Sequence, residues 1–161
     1  MRFIPVLIAL LPAAATADIL ITFTEGAPKD RFTLENLGCD LGQVDLTINL
    51  ATAPAGLIFD VTGRGAGVEV FQPVEVVAGT VTFSDVTDGD QVLNLSLFDF
   101  KSGDTAAISA DLDDTQAAGA LGQIRVAGSE IAGASVASEG GEVGIFQTDA
   151  TARLPMPGCL G

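Results

Sequence analysis

Between residues 18 and 161 no apolar stripe recurs at the helical period. Apolar and polar residues instead alternate over short runs, and each run ends at a turn signal. The cleanest run is 44–50, where Val44, Leu46, Ile48 and Leu50 fall on one face and Asp45, Thr47 and Asn49 on the other. In 31–37 the same period puts Phe32 and Leu34 together. Further runs rich in β-branched and aromatic residues are predicted at 18–24, 57–61, 68–72, 74–77, 80–83, 92–98, 105–112, 123–127, 134–137 and 143–147. Gly, Pro, Asn and Asp punctuate them, as at 26–28, 54–56, 63–67, 88–90 and 102–104. Residues 116–120 read as a loop or a single helical turn. Many short strands at roughly 8–12-residue spacing predict an all-β, immunoglobulin-like antiparallel β-sandwich with little helix.

The first 17 residues do not fit this pattern. Arg2 is a short positive start, residues 3–11 are apolar but too few to span a bilayer, and Ala15-Thr16-Ala17 offers small residues where a signal peptidase cuts. The expected division is a signal peptide at 1–17 and a single β-sandwich domain at 18–161. The domain would be exported, to the periplasm or the extracellular medium. No later apolar run is long enough for a transmembrane anchor.

The chain has a net charge of −14. A surface of that sign repels phosphate backbones and anionic lipid heads, so nucleic acid and bare membrane are poor partners, and cations are attracted. It has no His, Trp or Tyr. The usual general base and the commonest metal ligand are therefore missing. Zinc sites built on Cys and His are excluded in practice. A carboxylate-dependent glycan hydrolase remains open, but with no Trp or Tyr to stack sugars the chain reads as non-catalytic.

Cys39 and Cys159 are the only cysteines. An even count in an exported chain argues for one disulfide between them. It would close a loop of about 120 residues, for which the chain-entropy model gives roughly 4–5 kcal/mol. There is no Cys-x-x-Cys spacing to suggest redox work.

The densest acidic site is Asp111-Leu-Asp-Asp-Thr115. On a strand Asp111 and Asp113 share a face, and Asp114 would sit at the loop beyond. Calcium takes six to eight oxygens from carboxylates, carbonyls and water, and these three carboxylates are the candidate calcium ligands. The alternative reading is a solvated strand end. Asp85, Asp88 and Asp90 surround an Asp-Gly-Asp turn and read as hairpin chemistry. Asn94-Leu95-Ser96 fits a glycosylation acceptor but lies inside a predicted strand. The glycines of 63–67 lack the context of a dinucleotide fingerprint and read as a turn.

Three stretches together resemble the aggregation factor core proteins. They are Gly26-Ala-Pro-Lys-Asp-Arg-Phe-Thr-Leu-Glu-Asn-Leu-Gly-Cys39, Gly56-Leu-Ile-Phe-Asp-Val-Thr-Gly-Arg-Gly-Ala-Gly-Val-Glu-Val-Phe-Gln-Pro73, and Asp111–Thr115 continuing to Ile124-Arg-Val-Ala-Gly-Ser-Glu-Ile-Ala-Gly-Ala-Ser-Val136. The likeness is to short bacterial members, related to the core protein of sponge aggregation factors. The resemblance implies a secreted structural or adhesion module. It would self-associate as a ring or oligomer core, or dock extracellular proteins or glycans, with calcium assisting. The competing expectation is a monomeric periplasmic domain that binds a ligand or metal.

Overall fold

A computed structural model describes residues 17–62, 71–116 and 126–157. Within them the chain forms twelve strands and no helix. They are β1 (Ala17–Thr24), β2 (Asp30–Asn36), β3 (Val44–Asn49), β4 (Leu57–Phe59), β5 (Glu75–Ala78), β6 (Val81–Phe83), β7 (Val92–Leu97), β8 (Thr105–Ala110), β9 (Leu112–Asp114), β10 (Ser135–Ser138), β11 (Val143–Ile145) and β12 (Thr151–Met156). One five-stranded sheet has the order β12-β1-β2-β8-β5, a second has β11-β10-β3-β7-β6, and β4 pairs with β9 as a two-stranded ribbon. All the pairings are antiparallel. The architecture is the antiparallel β-sandwich of immunoglobulin-like class expected from the strand spacing.

Alternation places the core. Val44, Leu46 and Ile48 of β3 are buried with Leu93, Leu95 and Leu97 of β7, and face Ile19, Ile21, Phe32, Leu34 and Ile108 of the other sheet within one continuous cluster. Phe32 joins the layers: its ring centroid lies 5.3 Å from Phe23 of β1 and 6.1 Å from Phe146, which follows β11. Both contacts are tilted or edge-on, as the ring quadrupoles favour.

The two sides of the sandwich differ. On one side β11 and β12 form a hairpin whose strands belong to different sheets, with Gln147 N–H donating to Thr151 O at 2.8 Å. Gly144 makes this approach possible, because a Cβ there would lie 2.7 Å from Arg153 O. On the other side β5 and β6 end their respective sheets and are joined through Gly79, whose φ of +77° suits glycine.

Several strand boundaries differ from the expectation. The predicted strand at 105–112 breaks at Asp111, and Leu112–Asp114 leaves β8 to pair with β4. Residues 71–72 of the predicted strand 68–72 are not in a strand, and neither are 126–127 of the predicted 123–127. The remainder of those two runs, the expected turn at 63–67, residues 117–120 and Cys159 lie outside the described residues, as do residues 1–16 of the expected signal peptide. β12 was not anticipated.

Candidate functional site

The chemistry-bearing residues gather on the β4–β9 ribbon. Its register pairs Leu57 with Asp114, Ile58 with Asp113 and Phe59 with Leu112, and one step further Asp60 N–H donates to Asp111 O at 3.1 Å. Side chains alternate across the ribbon. Leu57, Phe59, Leu112 and Asp114 therefore share one face, and Ile58, Asp60, Asp111 and Asp113 share the other. The sequence expectation grouped Asp111, Asp113 and Asp114. The fold brings Asp111 and Asp113 together, adds Asp60, and turns Asp114 to the opposite face.

The carboxylates are buried, so a solvated strand end does not describe them. Asp113 is 2 % exposed, and neither of its oxygens receives a hydrogen bond. Asp60 lies against it, so a bond between the two side chains requires a proton on one of them. Burial first, then the charges of Asp60 and Asp111, push the Asp113 carboxyl up to about 7. Asp111 is pushed up to about 6 by burial and then by Asp60, with Lys29 acting in the opposite direction. Asp114 is also raised, by burial and then by Glu130.

Neighbouring elements close around this face. Gln72 is 7 % exposed and donates Nε2–H to Asp111 Oδ2 at 2.9 Å, while its Oε1 has no hydrogen-bond partner. Its backbone N–H donates to Val61 O at 3.2 Å, which ties the approach to β5 onto the chain leaving β4. Lys29 Nζ donates to Pro73 O at 2.7 Å and pairs with Glu75 Oε2 at 2.8 Å. Asp30 is buried at the β8–β9 break and accepts from Gly26 N–H at 2.9 Å and Leu112 N–H at 3.3 Å. Burial raises its carboxyl to about 7, the two backbone bonds acting against it. Among the described residues no group of three or more carboxylates converges into a ready-made metal cage.

Nothing in the local sequence pattern singles out Asp60, Gln72 or Asp30 as members of this region. Asp60 and Gln72 flank the glycine-rich 63–67 stretch in sequence, and the signal available was an acid and an amide on either side of it. Only the β4–β9 register reveals what they meet.

The second acidic cluster is turn chemistry. Asp88 accepts from the backbone N–H groups of Val61 and Thr62, both at 2.7 Å, and from the Thr62 hydroxyl. Burial acts upward on its carboxyl, but these bonds outweigh it and hold it below the usual range. Asp90 accepts from Thr87 N–H at 2.8 Å and its hydroxyl at 3.0 Å. Asn94 is exposed on β7 and accepts from Thr47 Oγ1 at 2.9 Å. Cys39 lies in the turn after β2, where its carbonyl accepts from Asn36 Nδ2 at 2.7 Å.

Exposed apolar side chains mark both lateral sides. Val76 and Val77 of β5 and Phe83 of β6 lie on one, Val143 and Ile145 of β11 on the other. Phe71, Pro73, Val74, Phe83 and Val86 line a groove beside the β5–β6 side. No helix among the described residues is long and apolar enough to cross a membrane. Comparison with protein-family models, with curated proteins and with solved structures returns no match.

Proposed function

We propose that this chain is an exported, non-catalytic structural or adhesion module that self-associates side to side, with calcium assisting. The observation that carries the reading is the placement of exposed apolar residues on opposite sides of the sandwich. Val76, Val77 and Phe83 flank the side where both sheets end in short strands, and Val143 and Ile145 flank the other. Two different patches on opposite sides favour a heterologous, head-to-tail contact, which closes into a ring when the rotation per copy permits. An open sheet edge supplies unpaired backbone groups for such a contact. The bulge at Val77 in β5 interrupts regular pairing there, which makes apolar packing the main contribution on that side.

Charge sets the conditions. Copies carrying −14 each repel one another, so association is expected to strengthen with salt and with divalent cations. The likeness of the three stretches to aggregation factor core proteins agrees with this reading, as does the absence of histidine with a carboxylate-only inventory. Export to an oxidising compartment accounts for the cysteine pair, and we read Cys39–Cys159 as a disulfide. Thiol titration of the unfolded protein without reductant is expected to find none, and two free thiols would refute the pairing.

Size-exclusion chromatography with light scattering, in calcium and in chelator, tests the assembly. Discrete oligomers that grow with calcium support the module. A monomer in both conditions favours the second reading, a periplasmic binding domain using the Phe71–Phe83 groove. Cleavage of any member of a broad polysaccharide panel would instead revive the glycan hydrolase.

A further inference from the structure

The second sheet ends in two edge strands that match each other. Its order β11-β10-β3-β7-β6 is antiparallel at every step, so β6 and β11 run in the same direction at opposite edges. The residues flanking β6 bond inward to β7: Phe98 N–H donates to Thr80 O at 3.2 Å, and Ser84 N–H donates to Asn94 O at 3.0 Å. Ladder bonds alternate along an antiparallel pair, so the backbone groups of Val81 and Phe83 point away from the sheet. At the other edge Ser138 N–H donates to Glu142 O and Phe146 N–H to Ala134 O, both at 2.9 Å, which turns Val143 and Ile145 outward in the same way. Gln147 Nε2 donates to Ile145 O at 2.9 Å. Among the described residues nothing bonds Val143 N–H, Val143 O or Ile145 N–H. Neither 81–84 nor 143–145 contains a charge or a proline, the residues that ordinarily blunt an edge.

We propose that β11 of one copy adds in parallel to β6 of the next, with Gly144 opposite Phe83, so that this sheet continues from copy to copy. The proposal rests on the side-to-side association above and names its contact. In this register Val143 N–H donates to Val81 O, Phe83 N–H donates to Val143 O, and Ile145 N–H donates to Phe83 O, which uses every free group of β11. The faces agree as well. Phe83 pairs with the buried Leu95 and Gly144 with the buried Val136, so both belong to the inner face, while Thr82 and Val143 are exposed on the outer one. An antiparallel join of the same backbone groups would set Phe83 beside an outward-facing residue and turn each successive copy over. The occupant is a second copy because the chain itself carries both edges in the required direction. Charge permits it too: Val81 meets Glu142, Thr82 meets Val143 and Ser84 meets Ile145, so no acid opposes an acid in a protein of net charge −14. The backbone bonds set direction and register, and Phe83, Val143 and Ile145 supply apolar area.

The test is residue-resolved amide exchange on the assembled protein against the same protein diluted until it is monomeric, with light scattering on both. The Phe83, Val143 and Ile145 amides are expected to exchange at least about tenfold more slowly in the assembly. The Ser84 and Phe146 amides, already bonded within the sheet, are expected to change little. Two variants separate backbone pairing from apolar contact. Ile145→Ala trims the side chain and keeps the N–H; Ile145→Pro also removes the N–H, which β10 does not use, and proline is tolerated on an edge strand. Ile145→Pro is expected to weaken assembly at least about tenfold more than Ile145→Ala, since it leaves Phe83 O without its donor. If Ile145→Pro does not fold, the exchange measurement decides alone. Assemblies whose three amides exchange as in the monomer, or Ile145→Pro assembling as readily as Ile145→Ala, overturn the pairing and leave side-to-side association standing. Protection of Phe83 without Val143 and Ile145 means that β6 meets something other than β11, and also overturns it. A monomer at every concentration overturns both.

Discussion

Asn36 shows how one side chain can hold three segments. It is fully buried, donates from Nδ2 to the carbonyls of Cys39 and Phe100 at 2.7 and 2.9 Å, and accepts Gly38 N–H on Oδ1 at 2.9 Å. Its backbone adds bonds to Asp104 O and from Gly103 N–H. The end of β2, the cysteine turn and the loop before β8 therefore meet at one amide. Asn36→Leu leaves the Cys39 carbonyl and the Gly38 N–H without partners, while the Phe100 carbonyl keeps the Leu41 N–H. At about 1–3 kcal/mol for each buried unsatisfied group, partly relieved by water, a loss of about 2–4 kcal/mol is expected in a denaturant titration. Asp30 and Asp113 set a pH dependence of unusual sign. Their carboxyls rise from an ordinary 3.8 to about 7, so the folded state holds protons that the unfolded chain releases. Their contribution to stability is complete below about pH 4 and is lost as pH rises towards 7. Asp45, Asp88, Glu142 and Asp149 are lowered and act the other way, losing their contribution only as pH falls below the ordinary carboxylate range. In calcium-free buffer Tm is therefore expected to fall between pH 5 and pH 8, and a Tm rising steadily over that interval would contradict the burial of these acids.

At the scale of elements, Gly144 sets the closure of one side of the sandwich. A side chain there meets Arg153 O and the Leu154 backbone. Gly144→Val is expected to separate β11 from β12 and to lower stability by about 1–3 kcal/mol, read by denaturant titration and by faster amide exchange at Phe146 and Gln147. The strand at 44–49 was legible because its two-residue period is strict and one face is wholly apolar. β12 carries the same signal in Ala152, Leu154 and Met156, but Pro155 and the neighbouring Pro157 obscured it. Proline is tolerated there because β12 ends its sheet. The break at Asp111 was not legible, since only pairing with β4 draws residues 112–114 away from β8. The acidic face was half legible for the same reason. Asp111 and Asp113 are neighbours in sequence, but Asp60 reaches them through register, and register is a property of two distant strands.

For the whole molecule, charge and apolar edges oppose each other. A chain with 21 acids against 7 bases carries a net charge that keeps copies apart, while Val77 and Phe83 on one side and Val143 and Ile145 on the other give them something to bury. Rising ionic strength is expected to shift the protein towards larger species in light scattering, where a charge-paired interface would dissociate. Head-to-tail geometry makes a sharper demand than self-association alone. A copy blocked on one side can still offer the other. Val77→Lys and Val143→Lys each place a charge on one patch only, at positions exposed enough not to disturb the core. The deciding measurement is light scattering on the two variants, separately and mixed, in calcium. Each variant alone is expected to be monomeric, and the mixture is expected to stop at a one-to-one dimer. Variants that still assemble alone, or a mixture that stays monomeric, would contradict it.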